Sequence, residues 1–161
     1  MWIDGNLQFT GTAGTAGSPD TPTTGTQTST NTIDLLNARD MGIGDDPSIE
    51  VLVEVLTTFT GGTSLQVNLQ SSPDNITFTT AVSGPVVAEA NLLGGTYLLG
   101  ITWPRYAPGL ALPRYWKLQY VTVGTHGAGT LFGAMVIDRQ DQIVSAAGQQ
   151  SGYPPGIIIN N

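Results

Sequence analysis

Two neighbouring stretches of this 161-residue chain decide its fold class, because apolar and polar residues alternate along both: residues 49–56 read IEVLVEVL and residues 65–70 read LQVNLQ. Successive side chains of a strand point to opposite faces, so a period of two predicts half-buried β-strands. In the first stretch the four β-branched residues share the face that we expect to be buried. Gly61 and Gly62 lie between the stretches and predict a turn, so the two are predicted to form a hairpin.

The same alternation extends toward both ends of the chain. Gly, Pro and Asn clusters separate the alternating segments, and the proline-rich residues 104–113 predict a loop, since proline cannot donate within a β-ladder. Residues 86–93 are compatible with an edge strand or with a short helix. Further short strands are predicted near Ile33 and Leu35, at Ile76 and Phe78, at residues 95–103, at Trp116, Leu118 and Tyr120, and from Leu131 to Ile137. Seven or eight such strands predict an antiparallel all-β sandwich or barrel.

The composition excludes several classes of protein. Only 11% of the residues are charged, against about 25% in typical soluble domains, while mean hydropathy is only +0.05, so neutral polar residues replace the missing charges. A formal charge of -7 argues against binding of nucleic-acid phosphates. The absence of cysteine excludes disulfides, thiolate metal sites and cysteine nucleophiles. These features favour a structural or binding protein whose surface is largely covered by partners.

The chain shows no signal for a membrane or for Sec export. Residues 1–5 lack the basic and apolar regions of a signal peptide, and no window reaches the roughly 18 consecutive apolar residues of a membrane helix. We therefore expect a protein that is made in a cytoplasm and has no membrane partner.

Two biased segments flank a predicted sandwich domain at residues 33–139. Residues 1–32 are predicted to hold a strand at residues 7–10 and an arm or loop rich in Thr and Gly, in which Asp20 is the only charge after residue 5. The arm could be a flexible loop, a surface loop that follows the strand, or an extension that orders on a neighbouring subunit with Leu7 and Phe9 as anchors.

Residues 140–161 form a predicted C-terminal tail. A Gly/Gln/Ser-rich linker leads into Tyr153, two prolines and a run of three isoleucines, Ile157, Ile158 and Ile159. An exposed apolar run of this kind promotes aggregation. We therefore expect the tail either to dock on its own domain or to clamp a partner subunit.

No catalytic, cofactor or metal site is predicted, and the chain is expected not to be an enzyme. His126 is the single histidine and falls in a predicted hairpin loop, where we expect it to be solvated. Glu50 and Glu54 share one strand face but lie about 13 Å apart, farther than the carboxyl pairs of glycosidases. Asp45 and Asp46 could offer oxygens to Ca²⁺, but no ligand spacing surrounds them, so a turn is favoured.

The distribution of charge and aromatic residues points to a contact surface. Residues 91–137 contain no acid, three basic residues (Arg105, Arg114 and Lys117) and most of the aromatic side chains. Arg and aromatic residues are enriched at the centres of protein interfaces. Arg105, Tyr106 and Arg114 are therefore predicted contacts, together with Leu7, Phe9, Tyr153 and Ile157–Ile159 in the two flanking segments.

The order and spacing of several motifs resemble the small capsid cement proteins of tailed bacteriophages. The resemblance covers residues 28–138. Its motifs are residues 29–35 (STNTIDL), 38–46 (ARDMGIGDD), 53–59, 65–72 (LQVNLQSS) with Asp74-Asn75 and Phe78-Thr79, 114–118 (RYWKL) with Tyr120, and 134–138 (AMVID).

The resemblance implies a jelly-roll-like β-sandwich that forms homotrimers on the outer surface of the virion. There it would bind the major capsid protein, bridge capsomers and stabilise the head without catalysing a reaction. An alternative is a carbohydrate- or receptor-binding β-sandwich module of a virion that uses Trp103, Tyr106 and Tyr115. A glycan-cleaving enzyme that uses two of the scattered acids is a third and weaker alternative.

Overall fold

A computed structural model describes residues 5–11, 18–38, 49–98, 103–104, 106 and 111–137. It confirms the all-β class: these residues form five strands, two 3₁₀ turns and no α-helix. The elements are β1 (Thr24–Thr28), β2 (Ile33–Asp34), β3 (Ile49–Ser72), β4 (Thr79–Ala88) and β5 (Tyr115–Ile137), with 3₁₀ turns at Gly5–Leu7 and Glu89–Asn91. All the pairings are antiparallel, in the order β1-β5-β3-β4, and β2 also pairs with β5.

The two long strands β3 and β5 pair along their whole length and fold over together. Tyr115 pairs with Ser72 at one end of the ladder, and Ile137 pairs with Ile49 at the other. A methyl group built on Gly133 would nevertheless meet Leu118 Cδ1 at 2.7 Å. The two halves of β5 therefore face each other, and the sheet closes on itself as a β-sandwich.

We call the two halves layer A and layer B. Layer A consists of β1, β2, β4 and residues 64–72 of β3 with 115–123 of β5. Layer B consists of residues 49–55 of β3 and 131–137 of β5, flanked by single bridges at Gln8, Asp20 and Tyr97. Residues 56–63 and 124–130 form the bend between the layers. Both long strands begin and end at the opposite end of the sandwich, which we call the open end. β3 begins there at Ile49 and ends at Ser72, and β5 begins at Tyr115 and ends at Ile137.

The core fills the space between the two layers, as the alternation predicts. The valines of residues 51–55 in layer B meet Leu65, Val67 and Leu69 in layer A. Phe9, Trp103 and Trp116 complete the same cluster. Burial of some twenty apolar side chains, each worth about 1.5–3 kcal/mol when fully buried, drives the closure of the sheet.

The predicted turn at Gly61-Gly62 does not exist, because β3 runs through both glycines. Register shifts occur between Val55 and Ser64, and between Thr60 and Gly62 β5 contributes three intervening residues against one from β3. Gly61 (φ +85°) and Gly124 (φ +78°) adopt backbone angles that favour glycine on the two paired strands. The glycines therefore bend a continuous ladder rather than reverse the chain, and the structure has two long strands where several short ones were predicted.

The sheet begins before residue 33, where the sequence placed the start of the sandwich domain. β1 lies within the predicted Thr/Gly arm and pairs with β5, although its five residues, TGTQT, contain no apolar side chain. Farther along, Ile76 is not in a strand and is exposed, and β4 starts only at Thr79. Residues 86–93 combine the end of an edge strand with the 3₁₀ turn, so both features expected there are present in part.

Candidate interaction surfaces

The outer face of layer A is nearly free of charge. Four of the stretches that build it, 24–28, 64–70, 79–88 and 117–123, contain one charged residue, Lys117, and the short strand β2 at its edge adds Asp34. Gln66, Asn68 and Gln70 alternate with the buried leucines and valine of β3, so they lie on the outer side, where Gln66 is half-buried and Asn68 and Gln70 are each only 6% exposed. Asn68 Nδ2 donates to Gln119 Oε1 of β5 over 3.1 Å. The outer face of layer A is therefore built of amides, hydroxyls and valines, of which Val86 and Val123 are exposed.

Lys117, the one basic residue of these strands, is itself partly covered. Its Nζ lies 3.8 Å from the centroid of the Phe78 ring, a cation–π contact. Burial lowers the pKa of the Lys117 amine below its ordinary value. Layer A thus presents little charge to a partner.

The outer face of layer B differs from that of layer A in its charge. Glu50 and Glu54 lie half-buried on this side of β3, as the alternation predicts. Between them Leu52 is buried with Ala134 beneath the rings of Tyr97 and Phe132. The two outer faces of the sandwich are therefore chemically distinct, one neutral and one acidic.

Of the predicted N-terminal anchors, Phe9 belongs to the core of its own domain. Its side chain is 0% exposed, and its backbone N–H donates to the Gly133 carbonyl over 2.8 Å. This corrects the expectation that Phe9 anchors a neighbouring subunit, since a buried ring cannot do so. Leu7 is partly buried and packs against the same core.

Arg114 and Tyr106 both lie at the open end, but their contacts are internal. Arg114 forms a two-pronged ion pair with Asp34, with Nε–Oδ1 at 2.5 Å and Nη2–Oδ2 at 2.7 Å. Tyr106 packs edge-on against Trp116 and places its hydroxyl 3.3 Å from Ser71 Oγ. The predicted contacts Arg105, Tyr153, Ile157, Ile158 and Ile159 lie outside the described residues.

The ion pair also changes the interpretation of the acid-free segment. Asp34 belongs to β2, which pairs with the start of β5 and so places a carboxylate beside Arg114. Residues 91–137 themselves contain no acid, but the folded chain places the carboxylate of Asp34 on the same surface.

The Asp34–Arg114 pair makes stability sensitive to acid. The Arg114 guanidinium and the Leu36 N–H hold the pKa of Asp34 below its ordinary 3.8. A lowered folded-state pKa adds stability above pH 3.8 that is lost as the pH falls through the folded value. Arg114→Gln should therefore lower the melting temperature at about pH 6 but much less at about pH 2.5. Melting of both proteins across this range checks the prediction, and a gap that does not depend on pH would contradict it.

A buried carboxylate that sequence reasoning missed joins the two layers. Asp20 pairs through its backbone with Leu131 of layer B, in both directions. Its carboxylate accepts a 2.7 Å hydrogen bond from the Tyr120 hydroxyl of layer A, and it also accepts bonds from the backbone N–H and the hydroxyl of Thr30. Burial and the neighbouring carboxylate raise the pKa of Tyr120 well above its ordinary value. The one feature of the sequence that could have indicated this buried carboxylate is the isolation of Asp20 in a neutral Thr/Gly segment.

His126 is buried, contrary to the expectation of a solvated loop histidine. It lies within β5 at the bend, is 2% exposed, and packs edge-on against Phe59 with ring centroids 5.0 Å apart. Its ring covers Gly62 of β3, where no side chain could fit. Nε2 lies 3.4 Å from the Ser64 carbonyl, and Nδ1 has no hydrogen-bond partner. This histidine fills the bend rather than serving a reaction at the surface.

An open groove of about 410 Å³ lies at the open end of the sandwich. Its walls come from the end of β3, the start of β4 and the loop that precedes β5. It is lined by Ser71, Pro73, Thr79, Thr80, Ala81, Pro104, Tyr106, Ala111 and Pro113, none of them charged.

The aromatic residues of the carbohydrate-binding alternative do not form an exposed platform. Trp103 is 7% exposed and stacks on Trp116 with ring centroids 4.3 Å apart. Tyr115 is half-buried, with the Arg114 guanidinium 4.9 Å from its ring centroid. Tyr106 alone of the three lines the groove.

Comparison with known families gives a match over most of the chain. The sequence model of the Bbp16 family matches residues 18–136, which include all five strands apart from the final residue of β5. No curated protein matches the chain. Among the described residues, no helix could cross a membrane and no cluster of three or more potential metal ligands occurs.

Proposed function

This chain belongs to the Bbp16 family, and we propose that it is a non-enzymatic capsid cement protein of a tailed bacteriophage. In this role it binds the major capsid protein on the outer surface of the head, as a homotrimer, and bridges neighbouring capsomers. The chain would be made in the host cytoplasm and would carry out its function in the virion.

The neutral outer face of layer A is the observation that carries this proposal. Depletion of charged residues distinguishes the buried centre of an interface from the rest of a protein surface. In this layer the strands β1, β5, β3 and β4 carry a single charge, Lys117, which is partly covered by Phe78, and Asp34 of β2 is paired with Arg114. Two exposed valines, Val86 (65%) and Val123 (54%), add apolar area to the amides. Such a face can be buried without the desolvation cost of unpaired charges.

The charge difference between the layers supports an orientation on the shell. Layer A would face the capsid, whereas the acidic face of layer B, with Glu50 and Glu54, would face the solvent. Because many copies bind one shell and each copy bridges capsomers, modest affinity at each site becomes a large total stabilisation. This mechanism needs surface burial alone.

The neighbouring gene, the mass of the purified chain and its effect on capsids test the function directly. If the proposal is correct, a gene for a major capsid protein lies beside the gene for this chain, and the purified chain has the mass of a trimer. The chain should then co-sediment with capsids assembled from that capsid protein and raise their melting temperature. A monomer that leaves the capsids unbound, or whose melting shifts with a sugar instead, would overturn the proposal.

A matched pair of variants tests the orientation. Val123→Asp places a carboxylate on the layer A face and should weaken capsid binding about tenfold or more, because the charge must be desolvated. Leu56→Asp changes a similarly exposed residue (46%) on the layer B side and should bind like the parent. Both changes are at exposed positions, so each should alter the free energy of unfolding by about 0.5 kcal/mol or less. Equal binding by the two variants would reject layer A as the contact face.

A further inference from the structure

The groove at the open end has the lining of a site for a proline-containing peptide. Three prolines, Pro73, Pro104 and Pro113, and the Tyr106 ring form much of its wall, beside the small side chains of Thr80 and Ala81. Aromatic- and proline-lined grooves favour extended polyproline II segments, which lose little entropy on docking. Its volume of about 410 Å³ is in the range of pockets that bind ligands.

The chain itself carries a segment of matching chemistry. Residues 153–159 read YPPGIII, and no charged residue occurs from residue 142 to residue 161. An uncharged groove imposes no unpaired-charge penalty on such a segment. A tyrosine next to two prolines offers a ring and a stiff backbone, and the three isoleucines need cover from water.

The path of β5 brings this segment within reach of the groove. Leu118 contacts the position of Gly133 across the core, so Tyr115 and Ile137 lie at the same end of the sandwich. The groove lies at that end too, since Ser71 and Pro73 border the end of β3 and Pro113 precedes β5. The 15 residues from 138 to 152 can span up to about 50 Å when extended. A tethered segment also acts at an effective concentration of about millimolar.

We propose that residues 153–159 dock into this groove of their own chain, with Tyr153 and the two prolines against Tyr106 and the groove prolines. The tail is then an intramolecular latch at the open end. It covers the apolar run without a partner, and the inference does not depend on the cement function.

Disulfide trapping in the full-length chain tests the latch, because the chain has no cysteine of its own. Ala111→Cys with Gly156→Cys joins the groove to the tail. Thr125→Cys with Gly156→Cys is the matched control, since Thr125 is exposed at the bend, far from the groove. The groove pair should form an intramolecular disulfide about tenfold faster than the control pair. Adding Tyr153→Ser to the groove pair should slow its disulfide formation toward the rate of the control pair.

The products separate by mass after denaturation without reductant. A cross-linked monomer from the groove pair supports the proposal. Covalent dimers or trimers instead would show that the groove holds a neighbour's tail, and equal rates for the two pairs would show no docking; either result overturns it. The reduced variants should melt like the parent, because both engineered positions in the sheet domain are exposed.

Discussion

Replacing Gly62 by alanine is expected to lower the free energy of unfolding by about 2–3 kcal/mol, although the change adds a single methyl group. A Cβ at this position would lie 2.1 Å from His126 Cε1. The imidazole has little freedom to move away, because it is buried and packs against the Phe59 ring. The strain must therefore spread into the bend. Chemical denaturation of the two proteins measures the difference.

Two further variants identify the cause of this loss. Gly127→Ala lies at the same bend, but its nearest neighbour beyond the adjacent residues is the Thr60 carbonyl at 4.0 Å, so it should change stability by about 0.5 kcal/mol or less. In a His126→Ala background, Gly62→Ala should change the free energy of unfolding little, since the imidazole that the new methyl group would meet is absent. An equal cost in both backgrounds would show that the histidine is not responsible.

Replacing Asp20 by alanine is the second change with a large expected effect, a loss of about 1–3 kcal/mol in the free energy of unfolding. The Tyr120 hydroxyl, in a residue that is 1% exposed, would lose its acceptor, and the Thr30 N–H and hydroxyl would lose theirs. The buried Tyr120 hydroxyl, left unpaired, costs about 1–3 kcal/mol, whereas Thr30 is exposed, so water can satisfy its two donors. The side-chain hydrogen bond that joins layer B to layer A through Asp20 and Tyr120 would also be lost.

Asp74 provides the matched control for Asp20. Its carboxylate also accepts backbone N–H bonds, from Ile76 and Thr77, but in an exposed turn where water can replace it. Asp74→Ala should therefore cost about 1 kcal/mol or less. Asp20→Ala combined with Tyr120→Phe should recover part of the Asp20→Ala loss, because the orphaned hydroxyl is removed as well. Equal losses for Asp20→Ala and Asp74→Ala would reject a special role for the buried carboxylate.

The candidate interaction surface was only partly accessible to sequence reasoning. The low charge of the chain predicted burial against partners, and the alternation in β3 places Gln66, Asn68 and Gln70 on one face. The low charge of that face as a whole and its contrast with Glu50 and Glu54 depend on which strands are neighbours. Two of the individual contact residues that were predicted from residue type have internal partners instead. Phe9 lies in the core, and Arg114 is paired with an acid 80 residues away in sequence.

The sequence by itself determined the class of the fold and the inward side of each main strand. A period of two is a local property of the chain, and β-branched and aromatic residues fit a pleated surface wherever the strand pairs. It also determined the low density of charge on the surface, since only 11% of the residues are charged.

Only the tertiary structure decided where the chain bends and which polar groups are buried. Gly61-Gly62 has the composition of a turn, yet β3 continues because β5 supplies a matching bulge and Gly124 at the same point. β1 has no apolar pattern and forms because the edge of β5 offers it hydrogen bonds. Asp20 can be buried because the distant Tyr120 donates a hydrogen bond to its carboxylate. His126 can be buried because Gly62, which has no side chain, leaves space for its ring. Such long-range pairings leave no periodic signal in the local sequence, and for this reason they appear only in the folded chain.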